Sequence, residues 1–120
     1  MVTTVGEINK RAQGLRGLNF GVSQNISAST GTVKFNDSFI EMDGTSNTVA
    51  LTQAAPIKGQ WLVVTCTDGT NDCTLTLTAG TFNGSDNVAT FNAAAETLVL
   101  FGISATRYVV VENIGSVAFS

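Results

Sequence analysis

The sequence predicts an all-β protein: an antiparallel β-sandwich, jelly-roll-like, with a short N-terminal arm or helix. Three observations carry this. Beyond residue 30 the chain consists of short runs rich in Thr, Val, Ile and Phe, residue types that fit a pleated, half-buried surface. Turn residues punctuate the runs, among them Asp43-Gly44, Asp68-Gly69, Asn83-Gly84 and the stretch from Asn113 to Ser116. Short strands at such spacing build sandwiches, jelly rolls or small barrels. The third observation is composition: 17 Thr, 12 Gly, 12 Ala and 10 Asn accompany only 12% charged residues, where about a quarter is usual for a soluble domain.

At 120 residues the chain holds one core, since a second needs more surface to bury. Two parts are expected: an arm with a short helix over 1–20, and a single β-sandwich domain over 21–120. Charge divides the same way. Lys10, Arg11 and Arg16 against Glu7 give the arm +2; three cations against eight carboxylates give the rest −5, for a total of −3. Thr4 precedes Glu7 by three residues, as in a capping box. Ile8, Ala12 and Leu15 follow at helical spacing, and Gly14 and Gly17 end the pattern. A helix of roughly 7–10 residues is not stable alone in water. The arm must therefore dock, either on the end of its own domain or on a partner.

The expected strands, in order, are Thr32–Phe35, Phe39–Met42, Thr48–Thr52, Gln60–Cys66, Cys73–Thr78, Val88–Phe91, Thr97–Phe101, Arg107–Glu112 and Val117–Phe119. Pro56 falls in a connection, where it interrupts no ladder. Ala93-Ala94-Ala95 allows one helical turn around Asn92–Glu96, and no internal repeat stands out. One hairpin can be registered. With Cys66 opposite Cys73, Val64 faces Leu75 and Leu62 faces Leu77, all on one face. Trp61, Val63 and Thr65 then share the other face with Thr74, Thr76 and Thr78. A slip of one residue would scramble this division. Cys66 and Cys73 are then either a cross-strand disulfide or two packed thiols.

The last third is apolar on both faces. Leu98-Val99-Leu100-Phe101 and Tyr108-Val109-Val110-Val111 leave no polar side. Such strands are covered on both sides or lie in a subunit interface. Leu98, Leu100, Phe101, Tyr108 and Val110 are accordingly the interface candidates. The alternative cover is the chain's own arm and loops.

Several chemistries are disfavoured. The chain has no His, so it has no His-based general base, nucleophile pair or metal ligand. It lacks a Gly-rich phosphate loop. Glu41, Asp43, Asp68, Asp72, Asp86, Glu96 and Glu112 mostly flank turns, and a solvated tip is the expected reading of Asp68 to Asp72, which lacks the ligand run of a calcium loop. No cofactor, no metal and no enzymatic activity are expected. Six basic residues make a nucleic-acid groove improbable. Leu98 to Ile103 is too short an apolar stretch for a membrane span, which needs about 20 residues. Met1 to Gly6 does not open a secretory signal, so glycosylation at the sequons Asn25, Asn36 and Asn83 is not expected.

Small size, Thr/Ala/Gly/Asn richness, absence of His, an N-terminal arm and the run from Thr106 to Ser116 together resemble the capsid decoration (cement) proteins and small virion β domains of tailed phages. The resemblance covers residues 30–120 and rests on composition and layout. It implies a structural protein of the virion surface, made in the host cytoplasm, that binds the major capsid (shell) protein as a homotrimer. Ile8, Lys10, Arg11, Leu15 and Arg16 of the arm are the candidates for attachment. Two other readings fit the same composition: a receptor- or carbohydrate-binding module of a phage fibre, and a bacterial surface β-sandwich.

Overall fold

The computed structural model describes residues 23–34 and 38–120. The arm and helix expected over 1–20, with all five attachment candidates, lie outside the described residues, as do Phe35 and the Asn36 sequon. Among the described residues there is no helix, and the strands form two sheets. They are β1 (Ser23–Ile26), β2 (Thr30–Thr32), β3 (Phe39–Asp43), β4 (Val49–Gln53), β5 (Trp61–Asp68), β6 (Cys73–Leu77), β7 (Thr81–Phe82), β8 (Val88–Phe91), β9 (Thr97–Ser104), β10 (Arg107–Ile114) and β11 (Ala118–Phe119). Eight of the nine expected strands have a counterpart; the first, Thr32–Phe35, shares only Thr32 with β2, since Val33 and Lys34 lie in no strand and Phe35 is outside the described residues, while β1 and the two-residue β7 are additions to the expected set.

The first six strands wind as a solenoid. The chain alternates between sheets at each strand, so that β1, β3 and β5 lie parallel in one sheet and β2, β4 and β6 lie parallel in the other. The second half extends both sheets mostly antiparallel. The six-stranded order is β1-β3-β5-β9-β10-β7, and the five-stranded order is β11-β8-β6-β4-β2. The all-β class holds, but the antiparallel jelly-roll-like arrangement is corrected: five strand pairings are parallel and four antiparallel.

The reason lies in the Asp-Gly turns. A tight two-residue hairpin of type I′ needs positive φ at both central residues. Asn83 (φ 50°) and Gly84 (φ 95°) meet this, and Ser85 N donates to Phe82 O across the turn at 3.4 Å. Gly44 and Gly69 do not take positive φ. They are needed for close approach instead: a Cβ on Gly44 would collide with Asn71 O, and one on Gly69 would stand 2.6 Å from Ala93 N. These two turns are arches that carry the chain from one sheet to the other. They stack, because Gly44 N donates to Asp68 O (2.9 Å) and Asn71 N donates to Gly44 O (3.0 Å).

The Cys66–Cys73 hairpin is therefore corrected to an arch. β5 pairs with β3 and β9, not with β6. The shared face survives: Leu62, Val64, Cys66, Cys73, Leu75 and Leu77 are all fully buried. They meet across the core rather than along a ladder, and alternation alone cannot tell these arrangements apart, since both turn the same residues inward.

The core runs between the sheets and is completed by Ile40, Met42, Val49, Leu51, Phe91, Leu98, Leu100 and Tyr108. At one end, the loop before β5 closes it. Gly59 N donates to Gly102 O (2.7 Å) and Gly102 N to Gln60 O (2.9 Å). At the other end the expected helical turn at Asn92–Glu96 is a tight turn with Ala95 at φ 69°. The buried carboxylate of Glu96 holds it by accepting from Asn92 N (2.6 Å) and Ala93 N (3.2 Å).

Candidate interaction surface

The outward faces of the two sheets differ. In the five-stranded sheet, register places Thr30, Ala50, Thr74, Thr90 and Ala118 in one cross-strand row and Thr32, Thr52, Thr76 and Val88 in the next. Hydroxyl and methyl groups side by side suit a solvated sheet face.

The six-stranded sheet carries apolar residues on part of its outward side. One row joins Trp61, Phe101 and Val109; the next joins Phe39, Val63, Val99 and Glu112; a third joins Glu41, Thr65, Thr97 and Ile114. Trp61 and Phe101 form a tilted pair with ring centroids 4.8 Å apart, a separation that favours aromatic contact. Thr65 and Thr97 share a hydroxyl–hydroxyl hydrogen bond of 2.8 Å. Among the described residues the exposed large hydrophobics are Trp61, Ile103, Val111 and Ile114, and all four stand on the adjacent strands β5, β9 and β10. β10 is also nearly an edge strand, because β7 covers only Arg107 and Tyr108.

The interface candidates divide sharply. Leu98, Leu100 and Tyr108 are fully buried in the chain's own core and cannot meet a partner. Val110 is partly buried against that core. Phe101 alone of the five faces outward, beside Trp61. The correction follows from alternation: β9 and β10 are covered inside by the second sheet, so only alternate residues of the apolar runs reach the outer face. Trp61, Val63 and Val99 carry that face in their place. Their signal is present in the sequence, since registering the cysteine pair sets Trp61 and Val63 on the face opposite the core side chains.

Charge is arranged along the strands. Arg107 stands where β10 begins, and Lys58 lies in the loop that closes the same end of the sheet. Glu41 and Glu112 lie further along, towards the arches. Both ends are built in. Arg107 Nη2 donates to Asn83 O at 3.1 Å, and Asn25 Nδ2 donates to Glu41 at 3.3 Å.

The carboxylates of Asp43 and Asp68 and the two cysteines have structural partners. Asp43 accepts from Thr45 N (2.9 Å) and from the Thr45 hydroxyl (2.5 Å). Asp68 accepts from Thr70 N (2.8 Å). These hydrogen bonds hold both carboxyls below the usual range. Asn71 Nδ2 donates to Gly44 O (2.8 Å), tying the 68–72 tip to the arch before it. No group of three or more Cys, Asp or Glu side chains is placed to hold a metal ion among the described residues. Cys66 and Cys73 are free thiols, their sulfurs 3.8 Å apart. Burial pushes both thiols up, Cys73 to about 12.

No protein-family model matches the chain, and no curated protein matches its sequence.

Proposed function

We propose that the chain is a non-catalytic structural protein that decorates an assembled phage capsid as a homo-oligomer. The observation that supports this is where the exposed apolar residues gather. All four exposed large hydrophobics of the described residues fall on one sheet, whereas a solvated monomer scatters them. Among the described residues, the carboxylates of Asp43, Asp68 and Glu96 are engaged in holding turns. Low charge, a two-sheet core and stacked arches suit a rigid component of a particle surface.

The partner is the shell protein, and neither nucleic acid nor membrane is invoked. Attachment runs through residues 1–20: Ile8 and Leu15 as apolar anchors, with Lys10, Arg11 and Arg16 speeding encounter with acidic shell surface. A ligand that binds only the assembled lattice stabilises it by mass action. Several linked copies gain further through effective concentration.

The test is co-sedimentation of the purified chain with empty shells assembled from the major capsid protein of the genome that encodes it. Saturable binding to shells, with none to free subunits, is expected, and deletion of residues 1–20 abolishes it while the β body stays folded. Equal binding to shells and free subunits, or none to either, overturns the reading.

A further inference from the structure

We infer that the outward face of the six-stranded sheet is the seat of a second copy of this chain, packed face to face with its strands reversed. The inference rests on reading that face as an assembly surface and names its occupant.

The apolar part consists of cross-strand rows on an open sheet face. Trp61, Phe101 and Val109 adjoin Phe39, Val63 and Val99 across neighbouring strands. A pleated sheet face packs well on another, the side chains of each filling the gaps of the other.

The charges decide between occupants. Lys58 and Arg107 mark one end of the sheet, and Glu41 and Glu112 lie towards the other. The basic arm, net +2 over residues 1–20, would meet like charge at the Lys58–Arg107 end. Three copies around a threefold axis would set like ends at one level, repelling at both. A twofold axis in the plane of the face and perpendicular to the strands keeps each strand over its own copy and reverses its direction. Arg107 of one copy then approaches the Glu112 end of β10 in its partner, and both ends meet opposite charge. Such an isologous contact closes at two copies, in place of the trimer the resemblance implies.

Light scattering of the full chain alone, at micromolar concentration, tests this. The wild type is expected at twice the chain mass. Val99→Lys, aimed at the apolar centre, yields monomer. The double substitution Glu41→Lys with Glu112→Lys makes the face uniformly basic, and Lys58→Glu with Arg107→Glu makes it uniformly acidic. Each pair alone weakens association at least tenfold, and mixing the two restores a dimer. Circular dichroism and a urea titration establish that each variant folds. A wild type that is monomeric or trimeric, or charge variants that associate as well as wild type, overturns the inference. Shell binding by a monomer would remove this pairing and leave the decoration reading; a dimer that ignores shells would do the reverse.

Discussion

The sulfurs of Cys66 and Cys73 lie 3.8 Å apart, one on each sheet, at the arch that joins β5 to β6. Both side chains are fully buried, and Cys66 donates its thiol hydrogen to Asp68 O at 3.2 Å. Native protein is therefore expected to resist alkylation by iodoacetamide and to take up two labels once unfolded. Rapid labelling of the folded protein, or an intact mass short of two hydrogens, would contradict the buried thiol pair.

The same burial makes a prediction for alkaline solution. Desolvation raises Cys73 from its ordinary 9.0 to about 12, and burial raises Tyr108 as well. A raised acid holds its proton longer in the folded state, so its contribution to stability is full below the unfolded value and declines as pH rises through the folded one. The urea midpoint should fall above pH 9, and less steeply in Cys73→Ala. Identical slopes for the two proteins would contradict this.

Tyr108 also closes a buried polar contact between the sheets. Its hydroxyl accepts from Gln53 Nε2 at 2.6 Å and donates to Gln60 Oε1 at 3.1 Å. Tyr108→Phe leaves the buried Gln53 amide short of a partner and should cost about 1–3 kcal/mol. Adding Gln53→Leu should recover part of that loss. Strict additivity of the two costs in denaturant titrations would sever the coupling.

Leu100 separates core from interface. It is fully buried, so Leu100→Ala should lower stability by about 2–5 kcal/mol in any oligomeric state. Gly102 tests the closed end of the core in the same titration. A Cβ there would collide with Ile57 O, whereas nothing lies within 4 Å of one on Gly59. Gly102→Ala should therefore cost more than Gly59→Ala, where only positive φ (83°) opposes the side chain, a penalty of about 1–2 kcal/mol.

Alternation makes most strands, and the inward face of β5 and β6, legible in the sequence, because a period of two marks which residues share a side. It does not show which strands pair. Asp43-Gly44-Thr45 and Asp68-Gly69-Thr70 form a short repeat that marks two successive arches, and the register sets Asp43 beside Asp68. Read as hairpin turns, the same residues suggest antiparallel neighbours. β1 escapes a reading by pattern because Ser23-Gln24-Asn25 is polar, and it pairs by stacking on β3. The expected interface, Phe101 apart, falls one residue out of phase for a related reason: apolar runs in β9 and β10 suggest cover on both faces, but not which residues the second sheet claims.

Trp61 is the only tryptophan of the chain, and it stands 37% exposed on the outward face beside Phe101. Its emission reports directly on whether that face is covered. Acrylamide quenching of Trp61 in the full chain, followed over a dilution series, is the measurement that matters most. A covered face predicts weak quenching and blue-shifted emission at high concentration, with both relaxing on dilution and in Val99→Lys at every concentration. Strong quenching that does not change with concentration or with Val99→Lys would mean that the face stays in water, and would contradict the account.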